Sequence, residues 1–456
     1  MQMPDRRRFL KVLGGAAAGA MASGPVMRAL ADGSTKSTEY FVFIHVSGGW
    51  DVTLWSDPRN EEKGIVDPAS TDNSDTDNIA QWVDGGTLSD GSKSFKIIKP
   101  AGSNIAFGPG AGDLVTIYDR ICLINGISMN TVSHPDGTAY SATGRHLAGG
   151  RPSQSSIDTM VGNELGVEQL LPIVSVLFPS SYQNTGLPLD PRAVPLRIGD
   201  LTTVSSSLNR ALTYDTNAER DAVTAMLSEE AQSLAKRSHL PDAMNAFAIQ
   251  YESLRKLLGG SAKDVFSAAA LQMAQPGFNY KMPQQGSRAI NAAFAIEAMK
   301  KDLVRCVSFQ LGSVDTHNTN YQDHAAILQD IFGIISSLLN GLDAAPHPTL
   351  MGKKLSDHTH ILVISDFCRT PQINVAGGRD HYPNNSALVI SPKFKSNLVY
   401  GSTDTEQLLP QNTKMFSDGT RPISPPDILA TFLTAQGIKP GDYLREGESV
   451  PELLKG

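Results

Sequence analysis

Short apolar runs rich in β-branched residues recur along the chain and alternate with amphipathic stretches. Turn-forming residues bound each run, which is typical of strands that are buried on both faces of a sheet. The runs cover residues 40–46, 121–127, 173–178, 304–311, 361–364 and 387–390. The clearest helical pattern lies between Leu328 and Leu342, where apolar residues recur at i, i+3, i+4 and i+7. This alternation predicts an α/β fold with a mostly parallel sheet and helices on both faces.

Two segments interrupt the alternation. Residues 52–110 are dominated by Asp, Ser, Asn and Gly, which predicts a long polar loop insertion on the surface, near the end of the first strand. Residues 208–275 are rich in Ala, Leu, Glu and Lys and poor in β-branched residues, which predicts a helical insertion or cap. We therefore expect a single α/β domain over residues 38–456 that carries both insertions.

The first 31 residues have the layout of an export signal. Its charged motif consists of Arg6, Arg7, Phe9, Leu10 and Lys11. A small apolar run follows at 12–22, and Ala29-Leu30-Ala31 has the form of a signal-peptidase site, which predicts cleavage after Ala31. Paired arginines before Phe-Leu-Lys are typical of the twin-arginine route. We expect the twin-arginine translocase to export this protein folded, to the periplasm or beyond, without a stable membrane anchor.

The composition and charge narrow the class of protein. Hydrophobic residues make up 40% of the chain and charged residues 19%, which excludes intrinsic disorder and a polytopic membrane protein. Loss of residues 1–31 would remove five basic residues and one acidic residue, and would change the net charge from -7 to -11. Such a surface repels phosphate backbones, so nucleic-acid binding is not expected. The three cysteines lack CxxC spacing, which excludes iron–sulfur clusters, c-type haem and zinc ribbons.

Acidic and imidazole side chains follow several of the predicted strands. They are Asp51, Asp315, His317, Asp366 and, after a glycine-rich turn, His381. Because the carboxyl ends of parallel strands meet at one edge of a sheet, these five side chains can converge. Mixed Asp and His ligands suit zinc or manganese, whereas calcium and magnesium prefer oxygen alone. The sequence therefore predicts a site for one or two divalent metal ions, with zinc or manganese favoured and calcium or magnesium as the alternatives.

Hydroxyl and guanidinium groups fall near the same edge. The second predicted strand leads to Thr131 and Ser133, and a hydroxyl bound to a metal loses its proton more readily and becomes a nucleophile. Arg369 follows Asp366 and could hold an anionic oxygen in a bidentate contact, or it could pair with one of the many carboxylates.

The remaining histidines are less specific. His134 could be a metal ligand, a base or the first residue of a helix; we group it with Asp380 among the residues expected to support the metal ligands. His45 lies within the first strand and is expected in the core or behind the ligands. His324 lies seven residues beyond His317 on the amphipathic helix and is expected on the surface.

The order and spacing of these motifs resemble one known family, the exported sulfatase-like proteins catalogued as domain of unknown function 1501, which are relatives of the alkaline phosphatase superfamily. The resemblance spans most of the chain after the export signal. It rests on FIHVSGGWD at 43–51, LING at 123–126 leading to Ser133-His134, DTH at 315–317, SDFCRTP at 365–371, GGRDH at 377–381 and PPDILATF at 425–432.

The resemblance implies a division of the site residues. Asp51 and Asp366 would belong to one metal position, and Asp315, His317 and His381 to the other. The nucleophile would be Ser133, with Thr131 as the second choice. The chain also departs from the superfamily, because Phe367 stands where alkaline phosphatases carry a metal-binding histidine. The Cys-x-Pro/Ala-x-Arg segment of true sulfatases is absent from the nucleophile position, so formylglycine chemistry is not expected.

These observations support two hypotheses from different classes. The first is an exported metal-dependent hydrolase that acts on phosphate or sulfate esters of an anionic small molecule or polymer. The second is an exported binding or scaffold protein that keeps the fold without turnover and works beside an exported protein partner; Phe367 favours it. A redox protein would suit the export route, but the sequence contains no GxGxxG dinucleotide fingerprint.

Overall fold

The computed structural model describes residues 36–59, 97–183, 187–201 and 261–456, the strands at 84–87 and 93–95, and isolated helical positions between 218 and 233. The predicted export signal at 1–31 lies outside the described residues. So do the middle of the predicted polar insertion and most of the predicted helical insertion.

An eight-stranded sheet forms the centre of the described molecule. The strands of the described residues, inside and outside this sheet, are β1 (Tyr40–Val46), β2 (Asp84–Thr87), β3 (Lys93–Phe95), β4 (Cys122–Ile124), β5 (Leu171–Val176), β6 (Leu196–Ile198), β7 (Val304–Leu311), β8 (Thr359–Ser365), β9 (Cys368–Arg369), β10 (His381–Tyr382), β11 (Ala387–Ile390), β12 (Leu398–Tyr400), β13 (Lys414–Phe416) and β14 (Gly419–Arg421). The pairs β2-β3, β9-β10 and β13-β14 form separate two-stranded sheets. The order in the central sheet is β12-β4-β11-β8-β1-β7-β5-β6, and β11 alone in this sheet runs antiparallel to its neighbours. The predicted α/β fold with a mostly parallel sheet is confirmed.

Helices cover both faces of this sheet. The α-helices are α1 (His134–Thr143), α2 (Ile157–Leu165), α3 (Ala268–Ala274), α4 (Ala289–Lys300), α5 (Ala325–Ala344) and α6 (Pro425–Ala435). Short 3-10 segments lie at Val52–Leu54, Gly112–Arg120, Pro191–Ala193, Ser261–Phe266, Gly286–Arg288, Leu355–His358, Pro440–Asp442 and Pro451–Leu453. A π-helical turn lies at Asn320–His324.

Successive side chains of β1 enter different cores, as a strand requires. Val42 and Ile44 pack with α3, α4 and α5 on one face. Phe41 and Phe43 pack with α1, α2 and α6 on the other face. Because both faces are buried, β1 reads in the sequence as a continuous apolar run.

β1 also fixes where the neighbouring strands end. It pairs in parallel with β7 and β8, so Val46 lies opposite Leu311 on one side and opposite Ser365 on the other. The chain therefore leaves all three strands at one edge of the sheet, and the loops after them lie side by side.

Two predicted strands end earlier than the apolar pattern suggests. The run at 121–127 forms a strand that stops at Ile124, and Gly126 then takes a left-handed φ of 65°. The run at 173–178 stops at Val176, and Leu177 has a φ of 59°. A positive φ breaks the ladder of an extended strand, and hydropathy alone does not report it.

Both ends of the predicted polar insertion at 52–110 are buried, so less of it lies on the surface than expected. Val52 and Trp55 near its beginning are fully buried, as are Ile105 and Phe107 near its end. A surface loop over the whole of 52–110 is therefore wrong at both ends, because these apolar side chains belong to the core. At the end of the predicted helical insertion, α3 is helical as predicted.

α5 is the one described helix whose length and hydropathy alone would allow it to cross a membrane. Its apolar side chains, from Leu328 to Leu342, are buried in the protein core. It is therefore a core helix, and it begins directly after the π-helical turn that carries His324.

Candidate metal centre

Two adjacent glycines let the three loops at the sheet edge touch. Gly48 and Gly49 have φ values of 105° and 75°. A Cβ atom on Gly48 would lie 2.6 Å from the backbone nitrogen of Asp315, and one on Gly49 would lie 2.5 Å from the Phe367 ring. Only glycine combines this conformation with such a close approach. The pair thus brings the loop after β1 against the loops after β7 and β8.

Three imidazoles and one carboxylate converge at this edge, and we call His134, Asp315, His317 and His381 the imidazole cluster. Oδ1 of Asp315 lies 3.3 Å from Nε2 of His134, 3.1 Å from that of His317 and 3.4 Å from that of His381. The Nε2 atoms of His317 and His381 are 3.1 Å apart. The ligand atoms of His134, Asp315 and His381 all lie within 4.8 Å of one another.

The opposite nitrogen of each imidazole is held from behind. Nδ1 of His134 lies 2.7 Å from Oδ2 of Asp366, and Nδ1 of His317 lies 2.7 Å from Oδ1 of Asp380. Nδ1 of His381 lies 2.8 Å from the carbonyl oxygen of Val132. Because all three partners are acceptors, each Nδ1 donates its proton, and each ring, when neutral, presents an Nε2 lone pair to the cluster. Metal-binding histidines in proteins are oriented in this way.

The charges of the cluster favour a cation at its centre. Burial alone would raise the pKa of Asp315, but the hydrogen bond from Arg369 and the charges of Arg369 and His134 lower it to about 2. The hydrogen bond to Asp366 raises the pKa of His134, although burial opposes this. Burial lowers the pKa of His381. Because a ligating imidazole must be neutral, metal binding here would release the proton that His134 otherwise tends to hold.

A divalent metal fits these residues. Nε2 of His134 is buried and has no hydrogen-bond partner among the described residues. Three imidazole nitrogens and one carboxylate oxygen form a donor set that suits zinc or manganese better than calcium or magnesium. The side chains of Asp315 and His317 are 43% and 48% exposed, so the cluster is open to solvent on one side.

Residues 39–450 match the family DUF1501, which is described as a protein of unknown function. The chain belongs to this family. No curated protein matches it. The matched range includes every residue of the imidazole cluster and excludes the predicted export signal.

Several solved structures are similar to this DUF1501 chain. One is BT33494S-sulf of Bacteroides thetaiotaomicron, described with the metabolism of multiple glycosaminoglycans; it has 12% identity and a TM-score of 0.33, over 91% of this chain and 76% of that one. Another is Ps i-CgsB in complex with k-i-k-neocarrahexaose, at 11% identity and a TM-score of 0.32, over 90% and 75%. Ps i-CgsB alone has 10% identity and a TM-score of 0.31, over 88% and 72%.

Phe367 forms a wall of the cluster. Its ring is fully buried, with its centroid 4.8 Å from that of His134 and 4.7 Å from that of His381. It cannot bind a metal, but it packs against two imidazoles and limits how they can rotate.

Asp51 does not join the cluster, although we predicted it as a ligand. Its Oδ1 accepts hydrogen bonds from the amide and the hydroxyl of Thr53, at 2.9 and 2.7 Å. Its Oδ2 accepts one from Asn320 at 2.7 Å and forms a 3.0 Å ion pair with Arg379. Burial would raise the pKa of Asp51, but Arg379 and these donors lower it. The carboxylate caps a 3-10 turn and is already neutralised by a buried guanidinium.

Asp366 and Arg369 also differ from their predicted roles. Asp366 lies behind His134 and accepts from its Nδ1, so His134 takes the place at the cluster and Asp366 the supporting place. Arg369 is fully buried; its nitrogens contact the carbonyls of Gly48 and Gly49 and Oδ1 of Asp315 at 2.7 Å. Because these partners occupy its guanidinium, Arg369 is not available to hold a substrate oxygen, and its alternative role as an ion-pair partner is the observed one. Asp380 contacts Nδ1 of His317 at 2.7 Å, and its supporting role stays a prediction.

The two candidate nucleophiles lie at the start of α1. Thr131 Oγ1 accepts from the Ser133 amide at 3.2 Å and also contacts the Asp136 carboxylate. Ser133 is exposed and is the N-cap residue of α1, where its hydroxyl makes no capping hydrogen bond. His134 begins the same helix, so Ser133 is covalently adjacent to the cluster.

Sequence reasoning placed His324 wrongly. His324 is fully buried: its Nε2 accepts from the amide of Asp51 at 2.8 Å, and its Nδ1 lies 2.7 Å from Oγ1 of Thr316. Burial lowers its pKa to about 3, so the ring is neutral. His324 ends the π-helical turn before α5 and stands four and seven residues before the buried Leu328 and Ile331, so the helical spacing itself places it on the buried face. His45 is buried beside Asp366, within the predicted range of positions.

Proposed function

We propose that this DUF1501 protein is an exported metal-dependent hydrolase of sulfate or phosphate esters. The observation that carries the proposal is the convergence of three imidazole Nε2 atoms on one carboxylate oxygen, with every Nδ1 held by an acceptor. A bound divalent cation would supply a Lewis acid that polarises an ester oxygen and lowers the pKa of a bound hydroxyl.

The protein's own residues orient this centre. Asp366, Asp380 and the Val132 carbonyl fix the three imidazoles, and Phe367 packs against two of them. This preorganisation matters because ligands that are already in place need not reorganise during the reaction. The exposed side of the cluster, at Asp315 and His317, gives an ester access from solvent.

Ser133 is the nucleophile in this proposal. Its hydroxyl is exposed and makes no capping contact, whereas the Thr131 hydroxyl contacts the Ser133 amide and Asp136. Ser133 also stands at the positive end of the α1 dipole, where developing negative charge on an anionic ester is stabilised. Thr131 remains the second choice.

Export of the protein is part of the same proposal. The paired arginines and the site after Ala31 support export of the folded protein by the twin-arginine translocase to the periplasm or beyond. The expected substrate is an anionic small-molecule or polymer ester that is present outside the cytoplasm.

The proposal is tested with three chromogenic esters on the chain loaded with Zn²⁺ or Mn²⁺. 4-Nitrophenyl sulfate, 4-nitrophenyl phosphate and bis(4-nitrophenyl) phosphate cover the two ester classes. We expect wild-type turnover of at least one ester and a fall of roughly 100-fold or more in Asp315→Asn, because a metal ligand is lost. Asp119→Asn, an exposed carboxylate on the 3-10 segment Gly112–Arg120, is the matched control and should keep full turnover.

Equal background rates in the wild type and in Asp315→Asn would contradict the hydrolase. Ser133→Ala and Thr131→Val then separate the two nucleophile assignments. Loss of turnover in Ser133→Ala alone supports the proposed role, and loss in Thr131→Val alone transfers it to Thr131.

A cation-binding scaffold protein is the second candidate. The observation that favours it is the buried guanidinium of Arg369, which cannot hold a substrate oxygen. It predicts that the wild type binds Zn²⁺ and that none of the three esters is hydrolysed above background.

A further inference from the structure

The family resemblance implies two metal positions, and the residues of one position do not fit a metal. We infer that this chain holds a single cation, at the imidazole cluster, and that the Arg379 guanidinium takes the place of a second one. The inference rests on the proposed function for the cation itself, and it deepens that proposal by fixing the number of ions and the charge of the site.

The Asp51 carboxylate has no capacity left for a metal. A carboxylate offers about four positions at which its two oxygens accept hydrogen bonds or bind cations. Oδ1 is used twice by Thr53, and Oδ2 is used by Asn320 and Arg379. A metal would have to displace at least one of these donors in a region that excludes water.

Arg379 is held in place by more than this ion pair. Its side chain is 2% exposed, and its Nη1 donates to the carbonyl of Thr370 at 2.7 Å and to that of Pro371. The pair with Asp51 is electrically neutral, and the neutral ring of His324 closes a third side of the Asp51 loop. A dication beside Asp51 would stand next to this guanidinium with no water to screen the two charges, which is strongly unfavourable. Asp315 is also paired with a buried guanidinium, that of Arg369, but its carboxylate is 43% exposed, so water screens a cation there.

Asp366, the other residue of that position, lies between two histidines, although its buried Oδ1 makes no hydrogen bond among the described residues. Oδ1 lies 2.8 Å from Nε2 of His45, and Oδ2 lies 2.7 Å from Nδ1 of His134 and 3.0 Å from the amide of Gly48. The His134 ring therefore stands between Asp366 and the cluster. The next residue, Phe367, contributes a ring and no ligand atom.

The ligand atoms that remain are enough for one ion. His134, Asp315 and His381 bring their ligand atoms within 4.8 Å of one another, and Nε2 of His317 lies 3.1 Å from Asp315 and from His381. Asp315 is already paired with Arg369, so a divalent ion here would add two positive charges to a pair that is neutral by itself.

The number of bound ions tests the inference directly. The full chain, as exported and processed, is stripped with a chelator, titrated with Zn²⁺ by calorimetry, dialysed and measured by elemental analysis. We expect one equivalent in the wild type, one in Asp51→Asn and none retained in Asp315→Asn. Two equivalents in the wild type, or a loss of one equivalent in Asp51→Asn, would overturn the single-cation inference.

Two further readings keep the result unambiguous. Arg379→Lys retains a positive charge and should also bind one equivalent, which replaces Asp51→Asn if circular dichroism shows that Asp51→Asn does not fold. Two equivalents together with ester hydrolysis overturn this inference and leave the proposed function standing. No bound zinc in a folded wild type removes the proposed metal-dependent function and, with it, the single cation.

Discussion

Two clusters of side chains at the carboxyl edge of the sheet each surround a carboxylate. One is the imidazole cluster around Asp315, and the other is the Asp51 cluster, which consists of Asp51, Thr53, Asn320 and Arg379. Asp51 and Asp315 each follow a central parallel strand within a few residues. Asp315 is 43% exposed and faces three imidazoles, whereas Asp51 is fully buried and faces a guanidinium. Each carboxylate is paired with a buried guanidinium, but Asp315 is also open to solvent, whereas Asp51 is not.

The difference lies in what neutralises each charge. A buried carboxylate must be paired or hydrogen-bonded at every position, because water cannot reach it. Arg379, Asn320 and Thr53 do this for Asp51. At Asp315, Arg369 provides one charge, and the neutral Nε2 faces of the imidazoles leave a position that a cation can fill.

The largest expected effect comes from removing the ion pair of the Asp51 cluster. Arg379→Met leaves Asp51 buried without its counter-ion, so we expect the free energy of unfolding to fall by about 3–5 kcal/mol. Urea unfolding followed by circular dichroism measures this. Lys414→Met, which breaks the solvent-exposed pair with Glu452, should cost no more than about 1 kcal/mol. Similar losses in both variants would mean that the Asp51 cluster is no tighter than a surface pair.

Changes to Asp366 and Asp380, the carboxylates that contact the Nδ1 atoms of the imidazole cluster, test how far they support metal binding. Asp366→Asn removes the negative charge that orients His134, and we expect zinc affinity to fall roughly 10–100-fold. Asp380→Asn does the same to His317, but Asp380 is 56% exposed, so its effect should lie at the lower end of that range. Zinc calorimetry compares the two variants with Asp119→Asn. A weaker effect of Asp366→Asn than of Asp380→Asn would contradict the supporting role assigned to Asp366.

His324, which contacts the Asp51 loop, should also make the free energy of unfolding depend on pH. The pKa of His324 is lowered to about 3 from an ordinary value of 6.5, mainly by burial. Between these two values the unfolded chain binds a proton that the folded chain does not. This contribution is therefore complete above pH 6.5 and is lost as the pH falls, by at most about 1.4 kcal/mol for each pH unit.

His324→Gln should flatten this dependence between pH 6.5 and about pH 4 in urea unfolding. The comparison is with the slope of the wild type over the same range. A slope that is unchanged in the variant would show that other groups cause the acid sensitivity.

The smallest expected effect concerns the charge of the substrate. A single divalent cation beside the neutral Asp315–Arg369 pair contributes two positive charges, and such a site attracts a dianionic ester more strongly than a monoanionic one. We expect kcat/KM to favour 4-nitrophenyl phosphate over 4-nitrophenyl sulfate and bis(4-nitrophenyl) phosphate by about fivefold, or about 1 kcal/mol. The preference should weaken at pH 5, where the phosphate monoester is mostly a monoanion. A preference for the monoanionic esters would instead indicate a less positive site.

The sequence predicts the α/β fold and some of the residues that meet at the imidazole cluster. Apolar runs at 40–46, 304–311 and 361–364 predict parallel strands, and parallel strands bring Asp315 and His317 to the edge at which all three strands end. The fold prediction is confirmed, because burial on both faces of a sheet imposes a pattern that is visible in one dimension.

The roles of the individual ligands required the tertiary structure. His134 and Asp366 exchange places relative to the expected roles, because only the packing of α1 against β8 decides which of the two reaches the cluster. The contacts of His324 with Asp51 and Thr316 also depend on the folded loops. Asp51 and Asp315 look alike in the sequence, and each is paired with an arginine more than 50 residues beyond Asp315, but only the folded structure decides that Asp51 is closed off from solvent and Asp315 is not. Charge compensation depends on distances of a few ångströms between remote residues, and those distances exist only after the chain has folded.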